Sequence, residues 1–263
     1  VATGRQGQGP ATAYKERTFG SALSVGLRIF KSRLATSGFE YVHADLHAGS
    51  GYNHERGCEG SPVVFHRLAS GAGVLFRAFY CDNDPTKTLA LEETDAGRCV
   101  RSDVICSDNA SALCTVWEYI LATQPRPDMA VGSVIIDPNG YITDAAVPSA
   151  TLKDFARQFP RMDLIFNLNM THYRQVRGLE RKGAKPGGLT YLPEPSKLPQ
   201  EFARQFGLIQ IREPVDGNKF MTLVLRNVKT GSHQRLGLFD IHSEIGGNML
   251  KECRYAGQIP LRF

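Results

Sequence analysis

Seven short apolar runs, each closing on an acid or a turn, alternate with segments whose apolar residues recur at helical spacing. The runs cover 41–46, 74–81, 101–106, 130–136, 163–167, 206–212 and 219–226. Helix-like stretches at 61–70, 84–93, 110–122, 151–159 and 197–206 separate most of them. Another at 14–35 precedes them all, with Phe19, Leu23, Leu27, Phe30 and Leu34 on one stripe. Strands joined by helices of about ten residues indicate βαβ units, so the pattern predicts an α/β fold with a mostly parallel sheet. The last two runs flank Glu213-Pro214-Val215-Asp216-Gly217-Asn218, a hairpin-like connection. The sheet is therefore expected to close with a C-terminal antiparallel hairpin.

Composition agrees with one such domain over 14–263. A chain of 263 residues, 42% hydrophobic and 22% charged, has room for a sizeable core. No apolar run approaches the roughly 18 residues of a membrane span, so no membrane partner is expected. The polar, glycine-rich stretch 1–13 is expected to be flexible. It has no signal-peptide core and no initiator Met, so a processed chain is expected. Six cysteines without a C-x-x-C spacing suggest a reducing, cytoplasmic setting. The balance of 31 basic to 26 acidic residues permits a nucleic-acid partner without requiring one.

The chemistry concentrates at the ends of the predicted strands. Residues 41–51, Tyr-Val-His-Ala-Asp-Leu-His-Ala-Gly-Ser-Gly, form an apolar strand that ends at Asp45 and enters a Gly-x-Gly turn. Such a turn lets a backbone approach a ligand closely, at the strand end where open α/β sheets bind them. It also reads as an ordinary strand-to-helix turn. The dinucleotide fingerprint G-x-G-x-x-G is not met, because His54 stands where the third glycine belongs. Gly60-Ser61-Pro62 then starts a helix, with Ser61 as N-cap and Pro62 at the first position. Asp82, at the end of the second run, is able to accept both hydroxyls of a ribose, while Asp84-Pro85 suits the cap of the next helix. Asp108 reads two ways, against an adenine amino group or as a plain N-cap. Asp137-Pro138-Asn139-Gly140 follows the fourth run as a rigid turn, either a buried structural turn or a site that holds an amino group by its N–H bonds.

Taken together, Asp45–Gly51 and Asp137-Pro138-Asn139-Gly140 resemble the cofactor and catalytic motifs of class I S-adenosylmethionine-dependent amino-methyltransferases, particularly the N6-adenine DNA methyltransferases. The chain is also similar to the three-Cys-motif partner proteins, which are methyltransferase-like. The resemblance spans roughly residues 40 to 225 and implies a Rossmann-like sheet of seven strands. It implies S-adenosyl-L-methionine as cofactor, bound by Asp45, His47, Ala48, Gly49, Gly51, Asp82 and Asp108. It implies Asp137, Pro138 and Asn139 as the groups that orient the target amine, with Tyr141 or Tyr173 stacking on the base. The sequence departs from the family pattern: Asn139 replaces a second proline, and Gly140 stands where an aromatic belongs.

Between the fifth and sixth runs, 170–195 shows little apolar periodicity and carries Arg174, Arg177, Arg181, Lys182 and Lys185 beside Tyr173. Arginines suit phosphates and aromatic rings suit unstacked bases, so this insert is the expected target-recognition loop; a solvated basic loop is the other reading. The favoured partner is nucleic acid, DNA before RNA, met with low sequence specificity. An RNA or small-molecule methyltransferase, or a non-catalytic binding module on the same fold, are the alternatives. His43, His47 and His54 with Glu55 lack the helical spacing of a metal site, and no metal is expected.

Overall fold

The computed structural model describes residues 12–33, 38–53, 57–137, 149–169, 209–212, 220–225 and 238–248. In chain order they form α1 (Thr12–Arg33), β1 (Tyr41–Asp45), β2 (Tyr52–Asn53), β3 (Cys58–Glu59), α2 (Ser61–Ala72) and β4 (Phe76–Asp82). There follow α3 (Pro85–Glu92), α4 (Asp95–Arg98), β5 (Ser102–Cys106), α5 (Asn109–Thr123), β6 (Val131–Ile136) and α6 (Ser149–Gln158). The set closes with β7 (Met162–Asn169), β8 (Ile209–Arg212), β9 (Phe220–Leu225) and β10 (Leu238–Asp240).

Eight strands join one sheet in the order β10-β8-β9-β7-β6-β1-β4-β5. The five from β5 to β7 run parallel. β9 lies antiparallel between β7 and β8, and the hairpin expected from the last two runs is present. This is a mostly parallel, Rossmann-like α/β sheet, as the alternating pattern of the sequence predicts. A buried parallel strand needs apolar residues on both faces, and β1 and β6 are buried at every position.

The two faces carry separate cores. Val42, Ala44, Phe79, Val134 and Ile136 pack with α5 and α6 through Leu113, Val116 and Phe155, and with Phe159 just beyond α6. Tyr41, Ala78, Tyr80, Ile135 and Ile165 pack with α1 and α2 through Leu23, Leu27, Phe30 and Phe65. Each buried Leu or Phe of α1 stabilises this face by about 1.5–3 kcal/mol relative to exposure. The apolar stripe of α1 therefore closes the sheet, and only its outer face remains for other contacts. Among the described residues, no helix is long and apolar enough to cross a membrane.

Four local details differ from expectation. The N-cap of α2 is Gly60, one residue before Ser61, and the Ser61 hydroxyl bonds Asp45. A two-residue ladder, β2 with β3, fills the loop between Gly51 and Gly60. α4 adds a turn capped by Thr94. β10 extends the sheet as an eighth strand, antiparallel to β8. Residues 1–11, the 170–195 insert and the helix expected at 197–206 lie outside the described residues.

Candidate cofactor and catalytic site

Because β5, β4, β1, β6 and β7 are parallel, their carboxyl ends share one rim. Strand order reverses between β1 and β6, and ligands of open α/β sheets sit at that reversal. The chain leaving β1 is held to both neighbours: Leu46 N–H donates to Ile135 O (3.1 Å) and Ala48 N–H to Cys81 O (2.9 Å). It then turns through Gly49 (φ 63°) and Gly51 (φ 74°), both in the left-handed region that favours glycine. The two glycines serve different ends. A Cβ at Gly51 would sit 2.6 Å from Leu91 Cδ1, whereas one at Gly49 would meet nothing within 4 Å. Gly51 is therefore needed for packing, and Gly49 faces open space. Gly60 N–H donates to Gly51 O (2.8 Å) and closes the loop behind them.

Three carboxylates end three neighbouring strands around this turn. Asp45, wholly buried, accepts the His47 main-chain N–H at 3.0 Å. Burial pushes its carboxyl up to about 7; the Ser61 hydroxyl and the His47 N–H oppose this, and the charges of Asp137 and Asp82 add to it. Asp82 accepts Gly49 N–H on Oδ2 (3.1 Å) and Asp84 N–H on Oδ1 (3.0 Å), with Lys87 Nζ 3.6 Å away. Asp137 is half-buried, and its Oδ1 accepts the Asn167 side-chain amide at 2.7 Å.

Asp108 is exposed and caps α5: its Oδ1 accepts Ala110 and Ser111 N–H at 3.0 Å each, and its Oδ2 accepts the Ser111 hydroxyl at 2.6 Å. Those bonds, from Ser111 first, hold its carboxyl below the ordinary value. The N-cap reading is thus present in the geometry. His47 turns its ring toward Asn109 (2.9 Å) and the main chain of Asp137 (3.2 Å). His43 faces the other way: it stacks on Phe65 with centroids 3.8 Å apart, bonds Ser133 Oγ at 2.8 Å, and burial pushes it down to about 3.

The rim thus brings together Asp45, His47, Ala48, Gly49, Gly51, Asp82 and Asp137, while Asp108 caps its helix at the same edge. Pro138, Asn139, Gly140 and Tyr141 lie outside the described residues, as do Tyr173, Arg174, Arg177, Arg181, Lys182, Lys185 and His54. Asn167, Asn109 and Lys87 were not anticipated from sequence. The signal for Asn167 was present, since it is a polar residue closing an apolar run, as Asp82 and Asp137 are.

No protein-family model and no curated protein matches the sequence. Solved structures do match in shape. Human methyltransferase-like protein 13 in complex with SAH is 12% identical, over 95% of this chain and 94% of that one, with a TM-score of 0.49. A Legionella pneumophila protein is 14% identical over 83% of this chain and 89% of that one, with a TM-score of 0.48. N-methyltransferase NodS from Bradyrhizobium japonicum is 12% identical over 84% and 98%, with a TM-score of 0.42.

Proposed function

We propose that this protein is an S-adenosylmethionine-dependent methyltransferase acting on an exocyclic amino group of a nucleic-acid base, with adenine N6 in DNA the favoured target. One observation carries the reading: Asp45, Asp82 and Asp137 close three adjacent parallel strands around a glycine turn that opens at Gly49. S-adenosylmethionine presents an ammonium group, a sulfonium and a ribose diol, and carboxylates suit all three. The donor set fits the cofactor, and the backbone at Gly49 is open to close approach.

In this reading Asp82 accepts the ribose hydroxyls and Asp45 faces the ammonium group. Bound S-adenosylmethionine supplies an electrophilic methyl group on a positively charged sulfur. Asp137, with the Pro138 carbonyl, accepts the N–H bonds of the target amine and directs its lone pair, and the carboxylate stabilises positive charge developing on nitrogen. Asn139 adds a hydrogen bond, and Tyr141 or Tyr173 stacks on the base.

The choice of nucleic acid rests on the resemblance of the Asp137–Gly140 motif and on the basic insert. Arg174, Arg177, Arg181, Lys182 and Lys185 suit phosphates, and the target base enters from a single strand or is flipped from a duplex. Transfer of tritiated methyl groups to duplex DNA, single-stranded DNA and RNA, followed by nucleoside mass spectrometry, tests this. N6-methyldeoxyadenosine is the expected product, lost in Asp137→Ala while cofactor binding survives. Label in RNA alone would move the substrate to RNA. An unlabelled panel with intact cofactor binding would remove nucleic acid as the substrate.

A further inference from the structure

The ring of His47 lies where the strand order reverses and touches both halves of the sheet. Its Nδ1 is 3.2 Å from the main-chain nitrogen of Asp137, at the end of β6. Its Nε2 is 2.9 Å from Nδ2 of Asn109, the first residue of α5. A main-chain N–H only donates, so Nδ1 must accept and carries no proton. The single proton of a neutral imidazole is then on Nε2, and it needs an acceptor. In the structure Asn109 Nδ2 faces the ring and its Oδ1 accepts from the Cys81 thiol; turning the amide over exchanges its two ends, so that Oδ1 accepts the Nε2 proton. With the amide turned in this way, each donor of the set meets an acceptor.

Asp137 is consequently held at two points. His47 takes its main-chain N–H from the β1 side, and Asn167, two residues before the last of β7, donates to its carboxylate. Two contacts on opposite sides of one residue fix the direction of its side chain as well as its place.

We propose that His47 is a positioning residue which, as the Nε2–H tautomer, clamps the main chain at Asp137 and so aims that carboxylate at the target amine. The proposal rests on the methyltransferase reading above. A phenylalanine at 47 fills similar space but removes the acceptor. An asparagine places its Oδ1 close to the position of Nδ1 and restores it.

The test joins two readouts. In the whole protein, long-range 1H–15N spectra report which ring nitrogen of His47 is protonated, and amide exchange reports the Asp137 N–H. We expect a bare Nδ1, and an Asp137 amide that exchanges faster in His47→Phe but not in His47→Asn. With duplex DNA and S-adenosylmethionine, His47→Phe should lower kcat about 10- to 100-fold, the loss that a small misplacement of a catalytic group causes. KM and S-adenosylhomocysteine affinity should change little, and His47→Asn should recover most of the rate. A protonated Nδ1, an unchanged kcat in His47→Phe, or equal losses in the two variants would overturn the proposal. Should His47→Phe fail to fold, Asn109→Ala takes its place: a lower kcat at unchanged KM supports the clamp, and an unchanged kcat overturns it. Wild-type protein that neither binds S-adenosylhomocysteine nor transfers methyl groups would sink the methyltransferase reading instead, while the ring and amide spectra still report the clamp.

Discussion

Asp82 Oδ2 accepts the main-chain N–H of Gly49 at 3.1 Å, which ties the glycine turn after β1 to the acid that ends β4. The same carboxylate is proposed to receive the ribose, so its loss acts twice: the ligand loses an acceptor and the turn loses its anchor. Hydrogen bonds to a charged group contribute about 1.5–3 kcal/mol each. Asp82→Ala is expected to weaken S-adenosylhomocysteine binding at least about tenfold, or 1.4 kcal/mol, by calorimetry. An unchanged affinity would leave Asp82 with the structural role alone.

Asn167 is buried and donates to Asp137 at 2.7 Å. Asn167→Leu keeps the volume and removes the donor. Methyl transfer should fall about 10- to 100-fold in kcat, with cofactor affinity retained. A change confined to affinity would contradict the role given to this pair.

Asp45 sets a pH dependence of stability. Its carboxyl titrates at about 7 in the folded chain against 3.8 in its ordinary state. Below both values it is protonated in either state and costs nothing. Between them the unfolded chain releases the proton first, so stability is lost as pH rises from about 4 to 7 and levels off above that. The penalty is on the order of 4 kcal/mol at most. Asp45→Asn should be more stable than the parent at pH 8 and flatter across that window, as read from urea unfolding at a series of pH values.

Gly49 and Gly51 should separate under substitution by alanine. Both pay for a left-handed backbone, about 1–2 kcal/mol. Gly51→Ala also drives a Cβ against Leu91 and should destabilise the fold further. At Gly49 the new methyl enters open space, so stability should drop by the backbone term alone while S-adenosylhomocysteine binding drops more. Paired thermal melts and calorimetry read both quantities.

The basic insert has its own signature. Phosphate contacts release counterions, so the affinity for duplex DNA should fall steeply with salt. Replacing Arg174, Arg177 and Arg181 together by alanine should lessen the slope of log K against log salt by about 2 to 3. An unchanged slope would remove the insert as a DNA-binding element.

The sheet was readable in the sequence because its strands are buried. An apolar run that stops at an acid marks both a strand and its carboxyl end, and Asp45, Asp82 and Asp137 were found in that way. β10 was not, since Leu238–Asp240 is three residues on the rim of the sheet and leads directly into a polar turn. The ladder of β2 and β3 escaped for a similar reason: two residues a side leave no periodicity to read. The partners of the acids were hidden by distance along the chain. His47 and Asp137 are 90 residues apart, His47 and Asn109 62, and their meeting depends on which strands lie side by side. Asp108 shows the converse: a local N-cap signal was legible, and the local bonds are the ones it makes.

The place of β1 in the sheet also governs how the chain can be assembled. Tyr41 lies opposite Phe76 on one side and Val131 on the other. A nascent chain can therefore close one flank of this strand early, but the second flank waits until residues 131–136 have emerged from the ribosome. Throughout that interval a strand that is buried at every position in the finished fold presents an open edge, the kind of surface that aggregates or recruits chaperones. Truncations ending before residue 131 should accordingly be insoluble, and the slow step of refolding should be the docking of β6.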